Sequence, residues 1–247
     1  MVSSFGRIIA VLLGLVLIFG GLIALYMWQT GMNWQFETVD YDFDSAPASI
    51  PDSVTLDINL PAGAIEVAFI DNASLLYDIH IETNRQTVNL YGDPTVSFSA
   101  NEIDLTYEAG SVTVVLGSGT NYTLDIDCSA SSVDVMAGAN AHIGDVLIST
   151  DAGAIDFQMT SAASIYDNIT IDLVADAGNI DVDVTLPSGI GGSFDATTDI
   201  GTVTVTPSGS WSQVWDNNHE TSDYTTAALA VTITAETTVG AISADLA

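Results

Sequence analysis

One short pattern recurs about every 23 residues from Leu56 to the end of the sequence. It reads apolar-x-apolar-x-x-x-small-Gly-x-Ile/Val-x-Val. Clear copies begin at Leu56, running through Gly63, Ile65 and Val67, and at Ile171, running through Gly178, Ile180 and Val182. The copies start at residues 56, 79, 103, 124, 147, 171, 194 and 233, and every step but the last is 21 to 24 residues. A fixed period of this size marks a stacked array of short units, because one unit alone has no partner for its apolar side.

Within a copy, apolar and polar residues alternate. Leu56, Ile58 and Leu60 share one side, and Ile65, Val67 and Phe69 follow after a Pro-Ala-Gly break. A period of two specifies strand, and the abundance of Val, Ile and Thr suits a pleated, half-buried surface. The glycine at the break permits a corner. The pattern predicts an all-β domain over residues 54–247, a β-solenoid of about eight rungs. A β-sandwich is the alternative. The copy at Ile79 is the weakest, because Asn84, Arg85 and Gln86 replace its small-Gly corner.

Residues 8–28 carry no charge (IIAVLLGLVLIFGGLIALYMW). At about 1.5 Å per residue a helix of this length spans about 30 Å, the thickness of a bilayer core. The run exceeds a signal-peptide apolar region and no A-x-A site follows it. The expectation is a retained single-pass signal-anchor in contact with membrane lipid, with Tyr26, Trp28, Trp34 and Phe36 at the interface. Arg7 precedes the span and all 32 acidic residues follow it. The positive-inside rule then puts residues 1–7 in the cytoplasm and the C-terminal domain outside the cell. Residues 29–53 read as an interfacial segment and an acidic tether.

The chain has two arginines, no lysine and a formal net charge of −30. Such a surface repels phosphate backbones, which excludes nucleic-acid binding. At 48% hydrophobic residues the chain can still bury a core. A single cysteine, Cys128, excludes an intrachain disulfide framework, and its phase with Leu124 and Ile126 makes it a small buried hydrophobe.

The repeat aligns its acids into columns. One outward column holds Glu66, Thr113, Asp134, Asp156, Asp181, Thr204 and Ser243, and a second holds Asp57, Asp104, Asp125, Asp172 and Asp195. Neighbouring strands lie about 4.8 Å apart. At that distance two carboxylates repel by about 0.9 kcal/mol in water and about 3.5 kcal/mol at an effective dielectric of about 20. Asp134, Asp156 and Asp181 fall in consecutive copies and are therefore candidate ligands for Ca²⁺, which takes oxygen ligands only. Proton sharing or splayed side chains would relieve the same repulsion. No EF-hand or GGxGxD loop is present.

Asn72, Asn121 and Asn168 each head an Asn-x-Ser/Thr sequon, so each is a candidate glycan site on an external domain, the first two in expected surface loops. The step from 194 to 233 is 39 residues, about 16 more than the period. The excess lies within 207–227 and brings Trp211, Trp215, His219 and Tyr224. Such a segment serves either as a lid on the array or as a partner surface, with Trp211, Trp215 and Tyr224 as contacts for a glycan or protein. The three histidines, His80, His142 and His219, stand in different copies, and no nucleophile, zinc or phosphate-loop motif occurs, so no catalytic residue is assigned.

The segments Gly63-Ala-Ile65-Glu-Val67, Gly153-Ala-Ile155-Asp-Phe157, Gly178-Asn-Ile180-Asp-Val182 and Gly240-Ala-Ile242 resemble the putative-adhesin family of β-solenoid domains over residues 54–247. That resemblance implies a bacterial or archaeal envelope protein, often with a membrane segment, and carries no active-site residues over. The expected function is a non-catalytic, membrane-anchored, adhesin-like domain outside the cell. Alternatives are a self-associating subunit of a surface filament or lattice, and a carbohydrate-active β-helix enzyme.

Overall fold

The structure is a computed structural model that describes residues 37–247. The expected membrane span at 8–28, its interfacial aromatics and the cytoplasmic residues lie outside the described residues. Among the described residues no helix is long and apolar enough to cross a membrane. Residues 38–247 form one compact unit.

The unit is all-β apart from one short helix. Its strands are β1 (Thr38–Ser45), β2 (Ser53–Phe69), β3 (Tyr77–Asn84), β4 (Thr95–Ser99), β5 (Glu102–Thr106), β6 (Ala109–Leu116), β7 (Asn121–Ala137), β8 (Ile143–Met159), β9 (Ile169–Val184), β10 (Ile190–Pro207), β11 (Trp211–Trp215), β12 (Asn218–Thr221) and β13 (Leu229–Leu246). The helix, α1 (Arg85–Tyr91), follows β3. All the strands belong to one hydrogen-bonded sheet.

The long strands are the repeat. In β2 the buried residues are Leu56, Ile58 and Leu60, then Ile65 and Val67. Buried parity switches between Leu60 and Ile65, so the chain turns a corner and keeps one side inward. The same switch occurs in β7, β8, β9 and β13. These strands pair in parallel, in register, and their apolar sides merge into one core. Each fully buried Ile or Leu contributes about 1.5–3 kcal/mol. No copy could bury these residues without its neighbours.

The layers do not follow chain order. The path runs β1-β3-β6-β2-β7-β8-β9-β13-β10-β12-β11, with β5 beside β2 and β4 beside β5. Thus β2 lies between the β5/β6 layer and β7, and β13 is inserted between β9 and β10. A simple coil would add each layer next to the one before it, and both ends of this stack depart from that order. The expected rung at Ile79 is not a parallel layer. Its strand β3 runs antiparallel to β6, and the Asn84-Arg85-Gln86 segment starts α1 with the Asn84 side chain accepting from the Gln86 amide at 2.7 Å. Seven parallel layers remain.

The corner glycines are needed for space more than for dihedral freedom. Among those of the parallel strands only Gly63 has positive φ, 143°. A β-carbon on Gly63 would lie 1.7 Å from the carbonyl oxygen of Gly110 in the adjoining layer. Corresponding clashes arise at Gly153, Gly178, Gly240 and Gly201. Ser131 takes the corner in β7, and its hydroxyl donates to the Leu60 carbonyl at 3.0 Å.

Residues 38–45, expected as tether, instead form a strand of the sheet. Val39, Tyr41 and Phe43 are half-buried and alternate with exposed Asp40, Asp42 and Asp44. β1 pairs antiparallel with β3, and His80 Nδ1 lies 2.7 Å from an Asp42 carboxylate oxygen. That contact holds the imidazole pKa above its ordinary value. The Tyr41 hydroxyl donates to Asp93 beyond α1.

Candidate functional site

The insertion predicted at 207–227 folds as the hairpin β11–β12 and a following turn. β12 runs antiparallel along the start of β10, pairing Ser193 with Glu220 and Phe194 with His219. The hairpin therefore caps the first half of the outermost parallel strand. A glycine pair makes room for it. A β-carbon on Gly192 would lie 2.5 Å from the Trp211 ring, and one on Gly191 would lie 2.7 Å from the Tyr224 Cα. The Gly192 amide donates to the Thr221 hydroxyl at 2.9 Å.

The hairpin divides the aromatic residues expected at a partner surface. Trp211 is 6% exposed and belongs to the core, so it acts as a plug and offers nothing to a partner. Tyr224 is half-buried, with its hydroxyl 3.2 Å from that of Thr232. Trp215 is 60% exposed. A register shift between Gln213 and Trp215, and a positive φ of 38° at Asp216, place Trp215 at the hairpin tip. Beside it opens a cleft of about 300 Å³ lined by Asp195, Thr197, Thr198, Trp215, Asp216 and Asn217.

This cleft joins an exposed indole to carboxylate, amide and hydroxyl groups. Asn217 is held by its Nδ2, which donates to the Ala196 carbonyl at 3.3 Å. The Gln213 amide donates to the Asp216 carbonyl and braces the tip. Thr198 Oγ1 is buried and has no hydrogen-bond partner among the described residues. A flat apolar ring with polar groups alongside can stack on the C–H face of a polyhydroxylated ligand and hydrogen-bond its edge.

The acidic columns are present, in the order set by the fold. The first runs Thr113, Glu66, Asp134, Asp156, Asp181, Ser243, Thr204. Because β2 adjoins β7 directly, four acids stand in succession where chain order gave three. The Asp134 carboxyl is raised above its ordinary pKa by burial first, then by Asp156 and Glu66. The Gln158 amide donates to Asp156 at 3.3 Å and relieves part of the repulsion. In the second column Asp104, Asp57 and Asp125 are neighbours. Leu147 interrupts it, and Thr234 separates Asp172 from Asp195. Asp57 is raised by burial first, then by Asp125, Glu102, Asp104 and Asp127. The candidate Ca²⁺ ligands Asp134, Asp156 and Asp181 therefore stand on adjacent strands, but among the described residues no three His, Cys, Asp or Glu groups converge to hold a metal ion.

Asn72 lies in the loop after β2, exposed, with its Oδ1 accepting from the Ser74 amide. Asn168 is exposed just before β9, and its Oδ1 accepts from the Ala230 amide at 2.9 Å. Asn121, expected in a loop, begins β7, half-buried with its Oδ1 inside and unpartnered. Cys128 is buried as expected, and burial pushes its thiol up to about 11. His142 contacts Tyr166 edge-on at 5.2 Å, and His219 is buried under the hairpin.

No family model matches the sequence, and no curated protein does. Solved structures do match. A putative cell adhesion protein from Clostridium sporogenes aligns at a TM-score of 0.70 and 12% identity, over 85% of this chain and all of that one. The two share a fold. A putative adhesin from Bacteroides fragilis aligns at 0.29 and 8% identity over 84% of this chain and 97% of that one. One from Parabacteroides merdae aligns at 0.26 and 8% over 86% and 97% respectively.

Proposed function

We propose that this chain is an adhesin-like surface protein without catalytic activity, anchored by residues 8–28 with its β domain outside the cell. We read the domain as a β-solenoid variant in which two layers are inserted out of chain order. The hairpin-tip cleft at Trp215 is its ligand contact, and a surface glycan is the ligand class.

The observation that carries this reading is the fate of the two hairpin tryptophans. Trp211 is buried as a plug and Trp215 is held out beside Asp195, Asp216 and Asn217. Exposing an indole in water has a hydrophobic cost that the fold avoids at Trp211. The shared fold with the putative cell adhesion protein from Clostridium sporogenes supports the same reading. So does the separation of the histidines, which sit beside Asp42, beside Tyr166 and under the hairpin. The charge asymmetry around residues 8–28 supports the outward orientation of the domain.

The test is binding of the full chain, in non-ionic detergent, to a panel of immobilised envelope glycans. The expected result is retention on at least one glycan, lost in W215A with the melting temperature unchanged. Equal retention of W215A would remove the cleft from the account.

A further inference from the structure

The stack closes unevenly. At one end β1 covers β3, which covers β6, and β4 covers β5. At the other end the β11–β12 hairpin covers only the first half of β10, where Ser193 and Phe194 pair with β12. The second half of β10, from Ile200 to Pro207, pairs with β13 on one side. Among the described residues nothing pairs with its other side. Its outward backbone groups form an open strand edge.

This edge lacks the devices that blunt the opposite one. β1 carries Asp40, Asp42 and Asp44 along its exposed face. The segment Ile200-Gly-Thr-Val-Thr-Val-Thr206 has no charge, in a chain with 32 acids, and the one proline of this half, Pro207, stands at the very end of the strand. Ile200 is 67% exposed, and Val203 and Val205 remain half-buried where the matching residues of β13, Ile242 and Ala244, are covered. The core is therefore one strand short at this point.

We propose that this edge accepts an extended segment of a partner protein, added as one more strand, with apolar and basic residues in alternation. The apolar residues complete the core over Val203 and Val205. The basic residues face outward beside exposed Thr202, Thr204 and Thr206 of β10, on the same sheet face as exposed Asp245 of β13, one strand further in, and Asp181 and Asp183 of β9, two strands further in. Strand addition supplies the affinity through main-chain hydrogen bonds, and the alternating side chains supply the selectivity. Charge decides the occupant. A second copy would bring another net −30 against the same face, whereas a basic strand is drawn to it.

The probe is a fluorescent peptide of about nine residues alternating Lys and Val, a usual strand length, titrated against the full chain in non-ionic detergent. A block-ordered peptide of the same composition controls for plain attraction to an acidic surface, and an alternating Glu-Val peptide controls for shape alone. The blocking variants are T202P and V203P. In a strand, successive residues aim their amides to opposite sides, so one of the two prolines removes an outward amide and spares the ladder to β13. The variant that keeps the wild-type melting temperature is the one tested. The alternating Lys-Val peptide is expected to bind about tenfold or more tighter than both controls, and that advantage should vanish in the tested variant. Equal affinity for the two Lys-Val peptides would overturn the proposal. So would an advantage that survives the proline, or a concentration-dependent dimer abolished by it. If neither variant keeps the wild-type melting temperature, V203K and V203E are compared with the wild type, and an unchanged peptide advantage in both overturns the proposal.

Discussion

A β-carbon built on Gly178 would lie 1.5 Å from the carbonyl oxygen of Gly153 in the next layer. Backbone meets backbone at each glycine corner of the stack, and no flexible side chain is there to move aside. The glycine column thus sets how closely the layers approach. G178A should destabilise the fold by at least about 1–3 kcal/mol, the usual cost of overpacking. Gly138, with nothing within 4 Å of its β-carbon position, is the control. Chemical denaturation of the two variants checks this, and an equal stability would remove the close-approach argument.

The repeat made the layers, their inward residues and the acidic columns readable. What it did not reveal was the order of the layers. Period and alternation fix which side of a strand is buried, but β13 has the same inward pattern as β10, so either fits beside β9. The insertion of β13 is a long-range choice with no local signal. One local signal was legible and was outweighed. Val39, Tyr41 and Phe43 alternate with three aspartates, the pattern of an edge strand, but the acids and the nearby prolines suggested a tether. At the hairpin, the aromatic excess was visible, whereas the split between a buried Trp211 and an exposed Trp215 depends on the room left by Gly192.

The two tryptophans should separate stability from binding. W211A removes a core plug and is expected to cost about 3–5 kcal/mol. W215A should leave the denaturation midpoint unchanged. Parallel denaturation curves give the comparison, and similar losses in both would mean that Trp215 is structural.

Acid should stabilise this protein. Asp57 and Asp134 hold their protons more tightly folded than unfolded, since both are raised above 3.8. Their contribution is fully present below that value and is lost as the pH rises through the raised folded values. His80, raised above 6.5 by Asp42, follows the same sign at higher pH. The melting temperature should therefore climb as the pH falls from 7 towards 4. D57N/D134N should flatten the acidic part of that rise, and H80Q the part near neutrality. A melting temperature that falls on acidification would contradict the ladder account.

The sequons should not be equivalent. Asn72 and Asn168 are exposed, and Asn121 is half-buried at the start of a strand. Secreted from a glycosylating host, the domain should carry glycans at Asn72 and Asn168 and none at Asn121. Peptide mass spectrometry reads the occupancy site by site.

The position of β13 decides which strand is outermost, and with it the hairpin cap and the open edge. Asp181 on β9 is paired with Ser243 on β13, and Ser243 with Thr204 on β10. Paired residues on adjacent strands lie within disulfide range, and residues two strands apart, at about 9.6 Å, lie beyond it. The direct measurement is oxidative cross-linking of two double variants, D181C/S243C and D181C/T204C, read by mass spectrometry under native conditions. The account predicts a disulfide in the first and none in the second. A disulfide between positions 181 and 204, with none between 181 and 243, would show the layers following chain order and would contradict it.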